Sequence, residues 1–278
     1  MGAGMAGQLL TNKLFDVTVY NRSIGKAELL QARGAKVAST PAEAVGNAGF
    51  VISMLADDDA ARQVWLGPGG AMSNVVDNAV LIESSTVSPA WVAELSEKAK
   101  SHGCELLDAP VTGSKPQAAA GELTFLVGGS DAALDRARHL LAAMSKNIVH
   151  VGPSGSGALM KLINNAVCGV QAVALAEAIA IIERAGLDRE KAVAVLTNGA
   201  PGSPLVKLLS GRMLAKDYTP NFIMRLMAKD LRYALNQTSS ETITAALQTF
   251  ERAITAGLGE KDFSAVVELS RSVGKDKV

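Results

Sequence analysis

The fold is decided by the opening stretch MGAGMAGQLL, residues 1–10. Its glycines Gly2, Gly4 and Gly7 fit the pattern G-x-G-x-x-G, in which glycines let the backbone turn tightly and approach a pyrophosphate at the amino end of a helix. We expect a turn there, followed by a helix over Gln8–Leu14. The pattern is weak by itself because glycine-rich turns are common, and a flexible terminus is the alternative interpretation.

The strand that follows gives the pattern more weight. Asp16–Tyr20 has the β-branched composition of a strand, and Asn21-Arg22-Ser23 stands at its end. An NAD site usually places an acidic residue there for the ribose 2′-hydroxyl, whereas an arginine suits a 2′-phosphate. The sequence therefore favours NADP over NAD, and a solvated Arg22 in a turn is the alternative.

One expected element is missing from the sequence. In a dinucleotide-binding fold the glycine turn follows the central strand of the sheet, but only Met1 precedes Gly2 here. Without that strand its neighbours would expose unpaired backbone groups, which is costly. We therefore expect that the sequence starts after this strand, rather than that a working domain lacks it.

The first half of the chain alternates short β-branched runs with helical stretches. The runs expected to be further strands are Phe50–Leu55, Ala79–Glu83, Glu105–Val111, Leu123–Val127 and Ile148–Val151. The stretches expected to be helices are Ala27–Arg33, Asp58–Val64 and Pro89–Lys100. Strands separated by helices of this length indicate βαβ units. We expect an α/β domain of Rossmann type over residues 1–154, with a doubly wound, largely parallel sheet.

The sequence of the second half predicts helices and no strands. Ala158–Ala185 can form one long apolar helix that Gly186 ends. Shorter helices are expected at Arg189–Thr197, Ile223–Thr238, Glu241–Ala256 and Phe263–Ser272. We therefore expect a second, all-α domain over residues 155–278, which the long helix enters.

Composition excludes several classes of protein. The 27 basic residues balance the 27 acidic ones and aromatic residues make up only 4%, so the chain lacks the charge and the stacking surface of a nucleic-acid binder. The most apolar stretch, Ala166–Ile182, contains Gln171 and Glu177 and falls short of the roughly 20 apolar residues of a bilayer span. The opening residues also lack the pattern of a signal peptide. We expect a cytoplasmic protein without a membrane partner.

The cysteines and histidines do not indicate a metal site or a disulfide framework. Cys104 and Cys168 lack metal-ligand spacing and are expected to be small buried hydrophobic residues. The three histidines, His102, His139 and His150, have no partner spacing and read as structural. We expect no metal, and hydride chemistry needs none.

Polar clusters follow the expected strands, and one opens the long helix. Ser84 to Pro89 and Asp108 to Lys115 stand at strand ends, where a doubly wound sheet binds its ligands. Lys161 and Asn165 are four residues apart and share a helix face. A cation near the start of an apolar helix opposes the helix dipole, which suggests a function for Lys161. A lysine that reaches solvent along a domain surface is the alternative.

In these motifs the chain resembles the β-hydroxyacid dehydrogenase family. The motifs that carry the resemblance span the chain and occur in the expected order: the Gly2/Gly4/Gly7 pattern, Asp108-Ala109-Pro110-Val111-Thr112-Gly113, Gly157-x-x-x-Lys161-x-x-x-Asn165 and Lys229-Asp230. Within the family it is most similar to the glyoxylate/succinic semialdehyde reductases, by residues 17–23, 113–115 and 259–266. It departs from the family pattern in the missing first strand and in Ala6, where a methionine is usual.

The resemblance implies a role for each matching residue. Lys161 and Asn165 match the catalytic lysine and its helper. The positions that match substrate-binding residues are Thr86, Thr112, Gly113, Ser114, Phe222 and Asp230. The positions that match cofactor-binding residues are Gly2, Gly4, Met5, Ala6, Gly7, Asn21, Arg22, Ser23, Met54, Leu55, Thr86 and Lys229. Lys115 and Arg225 are tempting partners for a substrate carboxylate, but we interpret both as surface or structural cations.

The implied reaction is hydride transfer between NADP(H) and a small aldehyde acid or hydroxy acid, such as succinic semialdehyde or glyoxylate. A cationic Lys161 would stabilise the growing oxyanion and deliver the proton. Asn165 would hold the substrate oxygen or orient the lysine. Thr112 and the backbone amides of Gly113 and Ser114 would bind the substrate carboxylate.

Two alternative hypotheses about the function are also consistent with the sequence. An NAD-dependent dehydrogenase of the 3-hydroxyisobutyrate or tartronate semialdehyde type is the enzymatic alternative. A non-catalytic, dehydrogenase-like binding or scaffold protein is the alternative of another class; the absent first strand supports it, while the intact Lys161 and Asn165 oppose it. The apolar helical half and the resemblance lead us to expect a homodimer or homotetramer. Several small aldehyde acids are candidate substrates, because one methylene changes binding to an apolar pocket by only about 1–3 kcal/mol.

Overall fold

The computed structural model describes residues 1–272. The chain divides into two compact units, of which the first ends at Lys161 and the second begins at Leu162. The helix Ser156–Arg184 runs through this boundary. The boundary expected from the sequence, between residues 154 and 155, lies just ahead of that helix.

The first unit contains strands that form two separate sheets. The strands are β1 (Thr18–Val19), β2 (Lys36–Val37), β3 (Phe50–Ser53), β4 (Val80–Glu83), β5 (Glu105–Asp108), β6 (Val111–Thr112), β7 (Leu123–Gly128) and β8 (Ser145–Gly152). The larger sheet has the order β3-β4-β5-β7-β6, and β8 also pairs with β7. Strands β3, β4 and β5 are parallel, and so are β7 and β8, whereas β7 runs antiparallel to β5 and β6. The expected α/β architecture, in which strands alternate with helices along the chain and the sheet is largely parallel, is confirmed.

The smaller sheet consists of β1 and β2, which pair in parallel only with each other. In a doubly wound sheet the strand ahead of the glycine pattern would separate β1 from β3. Over residues 1–161 no strand takes that place. Phe50, Val51 and Ile52 of β3 are accordingly only half-buried, while Val80–Glu83 of the neighbouring β4 is buried throughout. Strand β3 therefore lies at the edge of its sheet.

Helices join the strands of the first unit. They are α1 (Gly2–Thr11), α2 (Ile24–Gln31), α3 (Pro41–Val45), α4 (Asp58–Leu66), α5 (Pro89–Ser101), α6 (Lys115–Ala120), α7 (Asp131–Ala142) and the start of α8 (Ser156–Arg184). Four of them, α3, α4, α5 and α7, begin at a residue whose side chain accepts a hydrogen bond from a backbone N–H of the first turn; these residues are Thr40, Asp57, Ser88 and Ser130. Apolar side chains of β4, β5 and β7 form the core between these helices.

The expected glycine turn is wrong, because Gly2, Gly4 and Gly7 all lie within α1. A Cβ on Gly4 would stand 2.9 Å from the backbone carbon of Ala118 in α6, and one on Gly7 would stand 2.3 Å from the Arg33 guanidinium. The glycines therefore permit close packing of the helix rather than a tight turn. The Met5 side chain is buried and packs in the core of the first unit.

The start of α8 is held by Asp108 at the end of β5. Its carboxylate accepts hydrogen bonds from the backbone N–H groups of Gly155 and Ala158, both at 2.8 Å. Gly157 allows the close approach, since a Cβ there would lie 2.3 Å from the carbonyl oxygen of Asp108. Burial raises the pKa of Asp108 above its usual range, and the two N–H donors oppose this rise.

The second unit is helical. After α8 it contains α9 (Arg189–Asn198), α10 (Pro204–Ala215), α11 (Met224–Leu235), α12 (Glu241–Ala253), a π-helical turn (Ile254–Leu258), a 3₁₀ turn (Phe263–Ala265) and α13 (Val266–Ser272). Helix α10 was not expected from the sequence, and the helix expected over Phe263–Ser272 starts as the 3₁₀ turn. Side chains such as Met213, Met227, Leu231 and Phe250 form the core.

Candidate active site

The carboxyl ends of three neighbouring strands carry a row of buried polar residues. Ser53, Glu83 and Asp108 end β3, β4 and β5 and are paired in register across the sheet. All three are buried, although each is followed by a loop. A ligand site is expected at this edge of an open α/β sheet.

Two cofactor candidates, Met54 and Leu55, directly follow β3. The Leu55 N–H donates to the Ser85 hydroxyl at 2.7 Å, so the loops after β3 and β4 are joined. Thr86 is half-buried in the second of these loops. The structure thus brings Leu55 and the segment that carries Thr86 together.

The amino end of α1 lies beside the same strand end. A Cβ on Gly2 would contact the Cβ of Met54 at 3.5 Å. The first N–H groups of a helix have no intrahelical acceptor and carry a partial positive charge, which suits a phosphate. Of the five glycine-pattern residues, Gly2 is therefore the one whose place fits a cofactor pyrophosphate, with Ala3 beside it.

The candidates for the cofactor ribose lie in an exposed turn after β1. The Ser23 N–H donates to the Asn21 side-chain oxygen at 3.1 Å, which shapes the turn around Arg22. All three residues are exposed, and the turn contains no acidic side chain. Its charge suits a 2′-phosphate.

The turn expected to bind the substrate carboxylate connects β6 to α6. Thr112 ends β6, Gly113 has a φ of +106°, and Ser114 caps the helix. The Ser114 N–H and hydroxyl both donate to the Gln117 side-chain oxygen at 2.9 Å. Because this N–H is already used, the Thr112 hydroxyl and the Gly113 N–H are the donors that the turn offers.

Lys161 stands in the second turn of α8, on the helix whose start Asp108 fixes. Its side chain is buried, with 9% of its surface exposed. A lysine at this position is unusual, because the N-terminal turns of a helix favour negative rather than positive charge. Asn165 follows one turn later along the helix.

In the second unit Asn165 belongs to a buried polar cluster with Lys229 and Asp230. The Asn165 amide nitrogen donates to Asp230 Oδ2 at 2.6 Å, and Lys229 Nζ lies 2.8 Å from Asp230 Oδ1. Lys229 also lies over the ring of Tyr233, 4.7 Å from its centroid. Asp230 therefore orients both the amide and the ammonium group. The sequence placed all three in the site but did not indicate that they bind one another.

Phe222 is positioned by Asp262, which the sequence did not single out as a site residue. The Phe222 N–H donates to Asp262 Oδ2 at 3.0 Å, and the Phe222 ring packs against Phe263 with centroids 5.4 Å apart. Asp262 is itself buried. A carboxylate that accepts backbone N–H groups from a segment 40 residues away leaves little signal in a single sequence.

The remaining candidates have structural partners. Arg225 pairs with the exposed Glu260 at 2.6 Å, and His139 stacks with Phe15 and edge-on with Phe50. Burial raises the pKa of the Cys104 thiol.

Within residues 1–272 no group of three His, Cys, Asp or Glu could hold a metal ion. Helix α8 is long and apolar enough to cross a membrane, but 56% of its most apolar window is buried within the protein.

Comparison with protein families matches both halves of the chain. Residues 1–152 match the NAD-binding domain of 6-phosphogluconate dehydrogenase, and residues 155–270 match the NAD-binding domain of NADP-dependent 3-hydroxyisobutyrate dehydrogenase. The cofactor class that the strand ends suggest is therefore also that of the matching families.

Individual relatives cover almost the whole chain. Glyoxylate/succinic semialdehyde reductase 1 of Arabidopsis thaliana is 33% identical over 96% of this chain and 94% of its own length. NAD-dependent L-serine dehydrogenase of Pseudomonas aeruginosa is 32% identical over 97% of this chain and 94% of its own. The solved structure of Mycobacterium tuberculosis 3-hydroxyisobutyrate dehydrogenase with L-serine superposes with a TM-score of 0.88 at 31% identity, over 98% of this chain and 96% of that one. By these matches the chain belongs to the β-hydroxyacid dehydrogenase family of NAD(P)-dependent oxidoreductases.

Proposed function

We propose that the protein is an NADPH-dependent reductase of small aldehyde acids, with succinic semialdehyde or glyoxylate as substrate. The observation that carries the proposal is Lys161, a buried cation in the second turn of an apolar helix. Buried ionisable side chains of this kind are concentrated in functional sites. The family match supplies the reaction class in which a proton donor is needed.

The chemistry asked of Lys161 is proton transfer to the substrate oxygen. The nicotinamide, when bound, supplies the hydride. Negative charge that develops on the carbonyl oxygen is stabilised by the Lys161 ammonium, which then gives up a proton to it. In the reverse direction neutral Lys161 accepts the hydroxyl proton. Asn165, which Asp230 fixes at 2.6 Å, adds an oriented amide one turn away on the same helix.

Recognition of the substrate carboxylate is assigned to the turn after β6. The Thr112 hydroxyl and the Gly113 N–H are its donors, and the positive φ of Gly113 explains why a side chain is unfavourable there. By the family resemblance, Phe222 and Asp230 are assigned to the substrate as well. Lys229 is assigned to the cofactor, with its ammonium held by Asp230.

The NADP preference rests on Arg22 and on the absence of an acidic residue in residues 21–23. A charge-assisted contact to a 2′-phosphate is worth about 1.5–3 kcal/mol, or about tenfold to a hundredfold in affinity. We expect Arg22→Ala to raise the KM for NADPH by at least tenfold and to leave that for NADH unchanged. Arg189→Ala, in the exposed first turn of α9, is the control. A wild-type preference for NADH contradicts the role of Arg22.

The substrate is tested by initial rates with succinic semialdehyde, glyoxylate, tartronate semialdehyde and methylmalonate semialdehyde. The proposal predicts the highest kcat/KM for one of the first two.

The second candidate function is an NAD-dependent oxidation of a hydroxy acid, which the Pseudomonas aeruginosa relative favours. Rates with NAD and L-serine or 3-hydroxyisobutyrate that exceed the reductase rates would support that candidate. A folded protein that binds nicotinamide cofactor but turns over none of these substrates would support the binding-protein reading.

We further propose that the protein is a cytoplasmic homo-oligomer. The second unit exposes large apolar side chains, among them Ile181, Val195 and Leu208. Exposed apolar side chains mark an interaction site where they are contiguous, and we propose that these side chains belong to such a surface. Light scattering of the purified protein is expected to give the mass of a dimer or tetramer, and a monomer mass at all concentrations contradicts the proposal.

A further inference from the structure

A buried carboxyl group ties together the loops to which the cofactor is assigned. Glu83 ends β4 and is fully buried. Its Oε2 accepts the indole N–H of Trp65 at 3.0 Å and that of Trp91 at 3.4 Å, while its Oε1 accepts the Ser85 N–H at 3.0 Å. Within residues 1–272 no lysine or arginine forms an ion pair with it. Neutral N–H groups alone therefore satisfy this buried acid, which is an expensive arrangement to keep.

The contacts of Glu83 continue into the candidate site. Ser85, whose N–H Glu83 holds, is buried, and its hydroxyl accepts the Leu55 N–H at 2.7 Å. The other end of the same loop is fixed by Asp58, which accepts the N–H and the hydroxyl of Ser88 at 2.9 and 2.6 Å. Thr86 lies between these two anchors. The loop is thus held at both ends, and one anchor also fixes the backbone at Leu55.

We propose that Glu83 is a positioning residue, which holds the loops after β3 and β4 in the conformation that binds the nicotinamide cofactor. This inference rests on the proposed function, through the roles of Leu55 and Thr86. The carboxyl group is suited to the task because both of its oxygens accept hydrogen bonds and all its partners are donors. A glutamine offers one acceptor oxygen, so its NH₂ group must face either the indoles or the Ser85 N–H.

The test is Glu83→Gln, compared with wild type and with Glu105→Gln. Glu105 starts β5 at the opposite end of the strand and is partly exposed in its pair with Arg136. Dissociation constants for NADPH and NADH are measured together with KM, kcat and the midpoint of urea unfolding. We expect Glu83→Gln to weaken binding of the preferred cofactor by about tenfold, with a corresponding rise in KM. Glu105→Gln is expected to bind as wild type does.

A purely structural role gives a different result. It would lower kcat in proportion to the folded fraction and leave the dissociation constant of the folded protein unchanged, and that result overturns the proposal. Wild-type protein that binds neither cofactor contradicts the proposed function itself, which separates that failure from a failure confined to Glu83. If Glu83→Gln does not fold, Ser85→Ala replaces it. This change keeps the carboxyl–indole cluster and leaves the Leu55 N–H without its acceptor, so the same loss of cofactor affinity is expected.

The tryptophans supply an independent readout. The chain has two tryptophans, and both indoles donate to Glu83. Glu83→Gln is therefore expected to shift the tryptophan emission of the cofactor-free protein, whereas Glu105→Gln is not. An unchanged emission spectrum in Glu83→Gln would show that the indoles do not depend on this carboxyl group and would count against the proposal.

Discussion

Gly4 sets the distance between α1 and α6 by its lack of a side chain. Because the nearest atom to an added Cβ belongs to the backbone of Ala118, at 2.9 Å, a rotamer change cannot relieve the contact. We expect Gly4→Ala to lower the free energy of unfolding by about 1–3 kcal/mol. Gly211→Ala is the matched control, since nothing lies within 4 Å of its Cβ position in α10. There the helix propensity of alanine should add about 0.5–1 kcal/mol. Equal effects in urea unfolding would contradict this explanation of Gly4.

Asp108 stabilises the start of α8 through hydrogen bonds. Asp108→Ala leaves the N–H groups of Gly155 and Ala158 without their acceptor at the start of α8. We expect a loss of about 2–4 kcal/mol in the free energy of unfolding, since two buried donors become unsatisfied. The control is Asp77→Ala at an exposed position, for which a change within about 0.5 kcal/mol is expected. A similar loss in both variants would show that Asp108 does not hold the helix.

At the scale of elements, the two sheets of the first unit should differ in stability. Strands β1 and β2 contribute two residues each and form an isolated pair, whereas β4 is buried between β3 and β5. Two-stranded sheets are marginal in water. Hydrogen exchange followed by mass spectrometry should therefore show much faster exchange over residues 17–20 and 35–39 than over 79–83. Equal protection of these segments would contradict the separation of the sheets.

In the second unit, Arg271 of α13 connects to Glu183 near the end of α8 through two hydrogen bonds of 2.6 and 2.8 Å. These bonds lower the pKa of Glu183 below its usual 4.5. A carboxylate with a lowered pKa in the folded state contributes stability that is present above pH 4.5 and is lost as pH falls through the folded pKa. Arg271→Leu should therefore cost about 2 kcal/mol at pH 7, and less at pH 3. Arg225→Leu, which breaks the exposed pair with Glu260, should have little effect at either pH.

Which elements the sequence revealed depends on how they are stabilised. The long α8 and the buried β4 were predicted because continuous apolar composition marks them. Helix α6 and strand β2 were missed, since six and two residues are too short for a period to show. The glycine pattern predicts a turn that the structure does not contain, because sequence spacing does not distinguish a glycine that permits a turn from one that permits helix packing, as Gly4 does.

At the scale of the whole molecule, the family and the order of the two domains followed from motifs spread along the chain, and the comparisons confirm both. Lys161 was identifiable because a cation on an apolar helix is unusual. Glu83, Asp108 and Asp262 were not, since each accepts hydrogen bonds from another element or loop: Glu83 from the Trp65 indole, Asp108 from the Gly155 and Ala158 N–H groups, and Asp262 from the Phe222 N–H. Only the folded chain brings these donors to the carboxylates.

The central claim, that Lys161 is the proton donor of a reductase, is tested most directly by Lys161→Ala. NADPH consumption with succinic semialdehyde and the NADPH dissociation constant are measured for wild type, for this variant and for Lys100→Ala, an exposed lysine of α5. A general acid contributes about 10²–10⁴-fold to the rate. We predict a fall in kcat of that size for Lys161→Ala, with NADPH affinity within about twofold of wild type and no change for Lys100→Ala. Turnover that survives in Lys161→Ala, or a loss of NADPH binding in its place, would contradict the claim.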